Sequence, residues 1–413
     1  MRIVLWHGYL LSGTGSNIYT RALARAWSLA GHEVVVICQE PHPEQFDLAG
    51  ARVVRPDIGG LLPTFILDRY EGLEARYIQD FTDVEWERYV RANVEAVQAE
   101  LPADLVFANH VLPGGAVADG AGAPFAVKAH GSELEYSMRG RPELVERGRE
   151  ALEDARAVFV GSAHIREVLE DVVGHVDRVH EVPPGVDVEE FRPESRAEAL
   201  AWLLDEARRD PANPGNANER QPDEGNAERL QAFFASDEPT VLYFGKLLRN
   251  KGVHVLFEAL RDVDAHALVV GFGDYRAELE ALAPPGTLFT GALEHRHLVH
   301  VLPLCDVAVV PSIFPEAFGM VAAEAAASGC PPVVARHSGL AEIAAGLAEA
   351  YGPERAALAS FSTGDAGDLA ARLNELLALP QSERRRLGDL ARQTAVERWS
   401  WHSVAERLLA PFH

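Results

Sequence analysis

V-V-P-S-I-F-P-E-A-F-G-M-V-A-A-E-A-A-A-S-G, from Val309 to Gly329, is the stretch around which this chain is organised. It opens on the end of an apolar run, Val307 to Val310, of the length of a buried strand. A turn with Pro311 and Pro315 follows, and from Met320 the small residues predict a helix that Gly329 ends. Glu316 falls on the turn and Glu324 inside the helix. Val321 to Ala323 and Ala325 to Ala327 are all apolar, so the helix is expected to be packed on every side. A buried carboxylate is costly unless something hydrogen-bonds it. Two readings stay open for Glu324: a salt bridge to an arginine elsewhere, or hydrogen bonds from the paired hydroxyls of a ligand. In the second, the bare N–H groups of Phe318, Gly319 and Met320 at the helix start face an anion.

Outward from this stretch the same pattern recurs. Ile3 to Trp6, Val34 to Cys38, Leu105 to Asn109, Phe125 to Ala129 and Val158 to Val160 read as strands separated by helical patterns. A second series holds Val241 to Phe244, Leu268 to Val270, Leu288 to Phe289, Val307 to Val310 and Val333 to Val334. A chain of 413 residues exceeds one ordinary core, and two series predict two parallel-sheet α/β domains with a cleft between them. The expected boundaries are 1–184, 185–395 and a C-terminal helix, 396–413, packing back on the first domain. Between 204 and 238 the composition shifts to Asp, Asn, Pro, Glu and Gly, which reads as a mobile surface insertion. Ligands of open α/β sheets bind at the carboxyl ends of strands. His110, Ser162, and His130 with Glu133 just after it fall at such ends. The loop Ser12 to Asn17 carries Gly13-x-Gly15, short of a dinucleotide fingerprint but suited to close approach of a ligand to backbone.

The net charge of −24 argues against a nucleic-acid partner and against tight docking on anionic lipid, leaving at most peripheral membrane contact. Arg139, Arg141, Arg147 and Arg149 alternate with Glu143, Glu146 and Glu150, the pattern of a solvated helix. No apolar run reaches the length of a membrane span, and because the sequence opens directly on a strand-like I-V-L-W no signal peptide is expected. Cys38, Cys305 and Cys330 form no C-x-x-C pair and read as buried thiols of a cytoplasmic protein. His295, His297 and His300 have only Glu294 close by in sequence and are expected to be solvated rather than metal ligands. No metal or cofactor is expected.

Three lysines stand against 35 arginines: Lys128, Lys246 and Lys251. In F-G-K-L-L-R-N-K-G, Lys246 directly follows a strand and Lys251 meets the start of the next helix. A cation at a helix N-terminus is unfavourable, and Lys246, Arg249 and Lys251 repel one another. Something negative should offset them, either a neighbouring acid or a diphosphate that could also take the N–H groups of Phe318 to Met320.

These pieces together resemble a known family. F-G-K-L-L-R-N-K-G, V-G-F-G (Val270 to Gly273), P-S-I-F-P-E-A-F-G-M with its Glu316–Glu324 spacing, and P-P-G-V-D-V-E-E-F-R-P are similar to retaining glycosyltransferases of the GT-B fold, family 4. S-G-T-G-S-N-I-Y, A-G-H-E-V-V-V-I, K-A-H-G-S-E and S-G-L-A-E-I match as well, so the likeness spans nearly everything outside 204–238. The resemblance implies two Rossmann-like domains, and transfer of a hexose from a UDP-, GDP- or ADP-sugar to an acceptor hydroxyl, without a metal. It implies that Lys246 and Lys251 hold the diphosphate, that Glu316 contacts the sugar hydroxyls, and that Glu324 takes the ribose. It sets His130 beside the reacting sugar, Gly15 near the phosphate, Gly271 and Gly273 in the donor site, and Leu293 at the base. The acceptor is expected near Ser16, Asn17, His110 and Glu133. One departure is Lys246, where the family has an arginine; lysine lacks the bidentate fork. The alternatives are a sugar-nucleotide epimerase of the same fold or a non-catalytic sugar-nucleotide binder.

Overall fold

The structure is a computed structural model that describes residues 1–413 except 12, 66–69, 71 and 215–219. The described chain divides into two compact units, Met1–Gly185 with Trp401–His413, and Val186–Ser400.

The first unit holds strands β1 (Arg2–Trp6), β2 (Glu33–Ile37), β3 (Arg52–Val54), β4 (Leu61–Thr64), β5 (Glu74–Tyr77), β6 (Leu105–Asn109), β7 (Phe125–Lys128), β8 (Ala157–Val160) and β9 (Val179–Glu181). Its helices are α1 (Gly15–Leu29), α2 (Asp83–Gln98), α3 (Ala116–Gly120), α4 (Pro142–Glu153) and α5 (Ala163–Val173). Seven strands form one parallel sheet in the order β3-β2-β1-β6-β7-β8-β9, and β4 pairs with β5 separately. The central strands β6 and β7 are buried throughout and β1 from Ile3 onward, and most of their residues are apolar, as a sheet covered on both faces requires.

The second unit holds β10 (Thr240–Phe244), β11 (His266–Val270), β12 (Thr287–Phe289), β13 (Val307–Val310), β14 (Pro332–Ala335) and β15 (Ser360–Phe361). These form a parallel sheet in the order β12-β11-β10-β13-β14-β15. Its helices are α6 (Arg196–Arg208), α7 (Asn226–Phe233), α8 (Val253–Ala259), α9 (Arg276–Leu282), α10 (His295–Val301), α11 (Met320–Ala327), α12 (Ser338–Tyr351), α13 (Ala366–Leu377) and α14 (Gln381–Thr394).

The last helix, α15 (Trp401–Leu409), belongs to the first unit. Val404, Ala405, Leu408 and Leu409 are buried beside Leu23, Ala24 and Trp27 of α1, and the Trp27 indole N–H donates to the Ala405 carbonyl at 3.1 Å.

In both sheets the winding direction reverses at the centre, between β1 and β6 and between β10 and β13. A reversal opens a crevice at the carboxyl edge, because the loops on either side leave toward opposite faces. The predicted site residues follow these strands: His110 after β6, His130 after β7, Lys246 after β10 and Glu316 after β13.

One expectation is overturned. Much of 204–238 is not a loose surface insertion: α6 runs into it and α7 lies within it, and Leu204, Ala207, Ala227, Leu230 and Phe234, with Leu203 just before, are buried in the core of the second unit. The apolar residues of α6 recur at helical spacing, and that face outweighs the polar composition beyond it. Residues 215–219 lie outside the described residues. Replacing fully buried Leu203 by Ala should therefore cost about 2–5 kcal/mol in chemical denaturation. A loss below about 0.5 kcal/mol would show that α6 is no part of the core.

Candidate active site

In the second unit the strand-end loops lock together backbone to backbone. Gly271 and Gly273 have strongly positive φ, and a Cβ on them would lie 1.8 Å from the Gly245 carbonyl oxygen and 2.3 Å from that of Leu247. What these two glycines admit is thus the chain's own loop after β10; their expected part in donor binding comes through holding that loop. Leu247 N–H donates to Phe272 O at 2.6 Å and Tyr275 N–H to Leu247 O at 3.0 Å. The Tyr243 hydroxyl donates to the Lys246 carbonyl at 2.7 Å, which leaves the Lys246 side chain exposed and without an ion-pair partner among the described residues.

Lys251 ends a single 3-10 turn, Arg249–Lys251, and the helix proper starts at Val253. Gly252 follows at φ 72°, where a Cβ would lie 1.9 Å from the Pro311 carbonyl oxygen. This approach, with Ile313 N–H donating to Asn250 O, carries Lys251 to the β13–α11 turn. There its ammonium meets Glu316 Oε1 at 2.5 Å, both side chains being partly exposed. The positive charge is therefore offset by an acid of the protein, and that acid is the one expected to face the sugar.

Glu316 is held by its backbone. Its N–H donates to the Ser338 hydroxyl at 2.8 Å, and its carbonyl accepts from Gly339 N–H at 2.9 Å. His337 Nε2 lies 2.7 Å from the Ser312 carbonyl, so it carries the proton and Nδ1 accepts from the Ser338 hydroxyl at 3.0 Å. Ser338 has φ 45°, the left-handed region that side chains avoid. The chain Ser312–His337–Ser338–Glu316 over-determines that strain.

Beyond Glu316, the N–H groups of Phe318, Gly319 and Met320 have no acceptor among the described residues. Phe318 is buried edge-on against Trp399, and Gly319, at φ 120°, lies against Leu340. On α11, Glu324 is 9% exposed and no arginine pairs with it among the described residues; His295 Nε2 is 4.0 Å away. Burial, reinforced by Glu190, pushes its carboxyl up to about 8. Leu293 is half-buried in the loop between β12 and α10. His297 and His300 are not solvated as expected: His297 is buried on Asp210 at 3.1 Å and His300 bonds Glu194 at 2.7 Å, acids distant in sequence. Among the described residues no group of three or more His, Cys, Asp or Glu forms a metal site.

The first unit gathers histidines. The His130 N–H donates to Glu133 Oε1 at 2.9 Å, and its Nε2 lies 2.7 Å from Asn109 Oδ1. Asn109 Nδ2 donates to the Thr20 hydroxyl, which donates to Ser16 O. That relay orients the Asn109 amide and makes His130 Nε2 the protonated nitrogen. Burial, with His110, Lys128 and His7 beside it, holds His130 well below the usual histidine range. It is neutral, with Nδ1 left to accept a hydrogen bond.

Glu133 is fully buried and accepts from His130 N–H, Val111 N–H and the His110 ring. Burial alone would raise its carboxyl, but His110 and these donors hold it below the usual range. It orients the two histidines and does not itself reach an acceptor. Asn17 is likewise buried, its Oδ1 2.8 Å from His7 Nε2. Ser16 is half-buried and Gly15 exposed with open space around its Cα at the start of α1, whereas Ser12 lies outside the described residues. His7 is fully buried and held down to about 3 by burial and His110. His7, Asn109 and Thr20 escape sequence reasoning, although His7 stands one residue past a strand as His110 does. Lys128 is buried, donating to Val182 O at 2.5 Å.

Residues 14–185 match the family model described as glycosyl transferase 4-like domain, and residues 226–394 the one described as glycosyl transferases group 1. The chain belongs to the group 1 glycosyltransferases, family 4 type. It is similar to the MMP alpha-(1->4)-mannosyltransferase of Mycolicibacterium hassiacum, at 26% identity over 96% of this chain and 94% of that one. The GDP-mannose-dependent alpha-(1-6)-phosphatidylinositol monomannoside mannosyltransferase of Mycobacterium tuberculosis is 27% identical over 68% and 66% of the two chains. The HepE protein of Anabaena, solved with UDP, matches at TM-score 0.69 and 16% identity over 99% of each chain. Sucrose-phosphate synthase of Thermosynechococcus elongatus matches at 0.63 and 21%, over 98% of this chain and 97% of that one. These likenesses give the fold class as GT-B. No described helix of this glycosyltransferase is long and apolar enough to cross a membrane.

Two measurements probe the site of the glycosyltransferase directly. Below pH 4.5 folded and unfolded chains both hold the Glu324 proton; up to about 8 only the fold retains it, so stability falls as pH rises through that window. Glu324→Gln should gain on the wild type between pH 5 and pH 8.5 by a few kcal/mol, at about 1.4 kcal/mol per unit. A constant difference would place the carboxyl in its ordinary range. Ser338→Ala keeps the strained backbone and loses the hydroxyl, and should cost about 1–3 kcal/mol. Ser338→Gly relieves the strain and should cost less; the opposite order would remove strain from the account.

Proposed function

We propose that this glycosyltransferase moves a hexose from a nucleoside-diphosphate sugar to an acceptor hydroxyl, with retained anomeric configuration and no metal. The observation that carries the reading is the Lys251–Glu316 pair at the mouth of α11, beside backbone N–H groups that have no acceptor. Names of relatives support the donor class: one is GDP-mannose-dependent, and the Anabaena neighbour was solved with UDP and with UDP-glucose.

This geometry supports the following course for the reaction. The entering diphosphate draws Lys251 from Glu316 and takes the N–H groups of Phe318, Gly319 and Met320, with Lys246 as the second cation. Glu316, freed from its ion pair but still fixed through Ser338 and Gly339, accepts hydrogen bonds from the sugar hydroxyls. The bond from the anomeric carbon to the diphosphate oxygen breaks with its electron pair on the phosphate, where fixed positive charge stabilises it. The acceptor oxygen bonds to the same face of that carbon, and its proton passes to the leaving phosphate. His130, neutral with a free Nδ1, orients a hydroxyl and donates no proton from that nitrogen. Glu324 takes the ribose hydroxyls. The acceptor is a small molecule, lipid head group or glycan, on the His110 side of the first unit, and the enzyme works in the cytoplasm.

Thermal-shift measurements with UDP, GDP, ADP and their sugars test the donor site. At least one should raise the melting temperature by mass action. Lys251→Ala should abolish most of that rise. A rise unchanged by Lys251→Ala would remove the lysine, and with it the carrying observation, from the donor site.

A further inference from the structure

We infer that the strap Gln221–Asn226, held by the buried Asp223–Arg276 ion pair, determines which nucleobase the donor site accepts. The inference rests on the donor reading above. The strap lies at the margin of what the family shares: the group 1 match begins only at residue 226.

Before α7 the chain runs antiparallel to the end of β12 and pairs Pro222 with Gly291. Asp223 N–H donates to Thr290 O at 2.8 Å, the Asn226 amide donates to the same carbonyl at 2.8 Å, and Ala292 N–H donates to Gln221 O at 3.2 Å. A Cβ on Gly291 would lie 2.6 Å from the Gln221 carbonyl oxygen, so the two backbones touch. From the other side, the Asn213 side chain donates to Pro222 O and its carbonyl accepts from Glu224 N–H. Both oxygens of Asp223 bind the Arg276 fork, at 2.9 and 2.6 Å, and both side chains are 4% exposed. A fork pair so buried is lost only at a cost, since each partner would keep a single further counter-charge, Glu280 at 2.9 Å from Arg276 and Arg229 at 3.6 Å from Asp223.

The strap thereby occupies the outer edge of the loop Thr290–Glu294. On that loop the Ala292 carbonyl and both polar groups of the Leu293 backbone have no partner among the described residues. The loop is tied toward the phosphate side by Gly271 N–H donating to Gly291 O, and on the ribose side its next residue, His295, comes within 4.0 Å of Glu324. A donor with its diphosphate at Lys246 and Lys251 and its ribose at Glu324 brings its base to these free groups. Backbone groups read a base edge only when their spacing is held, and the strap holds it. Asp223 and Arg276 are positioning residues.

Titration calorimetry of wild type, Asp223→Asn and Arg276→Lys with UDP, GDP, ADP and inorganic pyrophosphate tests this. The nucleotide the wild type prefers should lose tenfold or more in affinity, and its margin over the other two should shrink, while pyrophosphate stays within twofold. Pyrophosphate binding also reports that the variants fold; if they do not, Asn213→Ala loosens the same strap more mildly and should shrink the margin in the same direction. An unchanged margin, or an equal loss for all four ligands, overturns the inference and leaves the donor reading standing. A wild type that binds no nucleoside diphosphate overturns the donor reading and this inference with it.

Discussion

The Lys251–Glu316 ion pair is the contact on which the proposed chemistry of the second unit depends. It joins groups 65 residues apart, brought together by backbone rather than by side-chain attraction: a glycine after the lysine lets one loop touch the carbonyl of another. With both side chains partly exposed, the pair is worth little to stability. Its value lies in readiness. A cation and an anion hold each other in place, and in the proposed reaction a ligand with a complementary pair, diphosphate beside hydroxyls, exchanges with both.

The first unit solves the opposite problem. His7, His110 and His130 crowd the ends of three neighbouring strands with Lys128 close behind, and burial with mutual repulsion keeps His7 and His130 uncharged. Glu133 is the anion that makes the cluster tolerable, and the hydrogen bonds it accepts from His130 N–H, Val111 N–H and the His110 ring all lie inside the protein. What remains available is lone pairs, suited to orienting hydroxyls rather than to moving protons.

Much of this was legible in the sequence, and for a definite reason. Strands buried on both faces are uninterrupted apolar runs, so β6 and β13 were read to the residue and β1, β2, β7, β8, β10, β11, β12 and β14 to within two. Short or half-polar strands such as β3, β5 and β9 carry no such run and escaped. Composition misled over α6 and α7, where periodicity would have served. The glycines at 271 and 273 stood out, but their neighbours did not, because a contact between two loops leaves no local mark. The relay from Ser16 through Thr20 and Asn109 to His130 is invisible for the same reason: its members come from α1, the end of β6 and the loop after β7.

The scarcity of lysine has a practical side. Lys128 is sealed inside the first unit, so the ε-amines that solvent can reach are Lys246 and Lys251. Coupling this enzyme to a resin or dye through its amines would, apart from the amino terminus, attach it on the one loop between β10 and α8, at the proposed donor site. All three thiols are buried as well. Its few conventional chemical handles are thus either hidden or on that loop, and a benign point of attachment has to be built in.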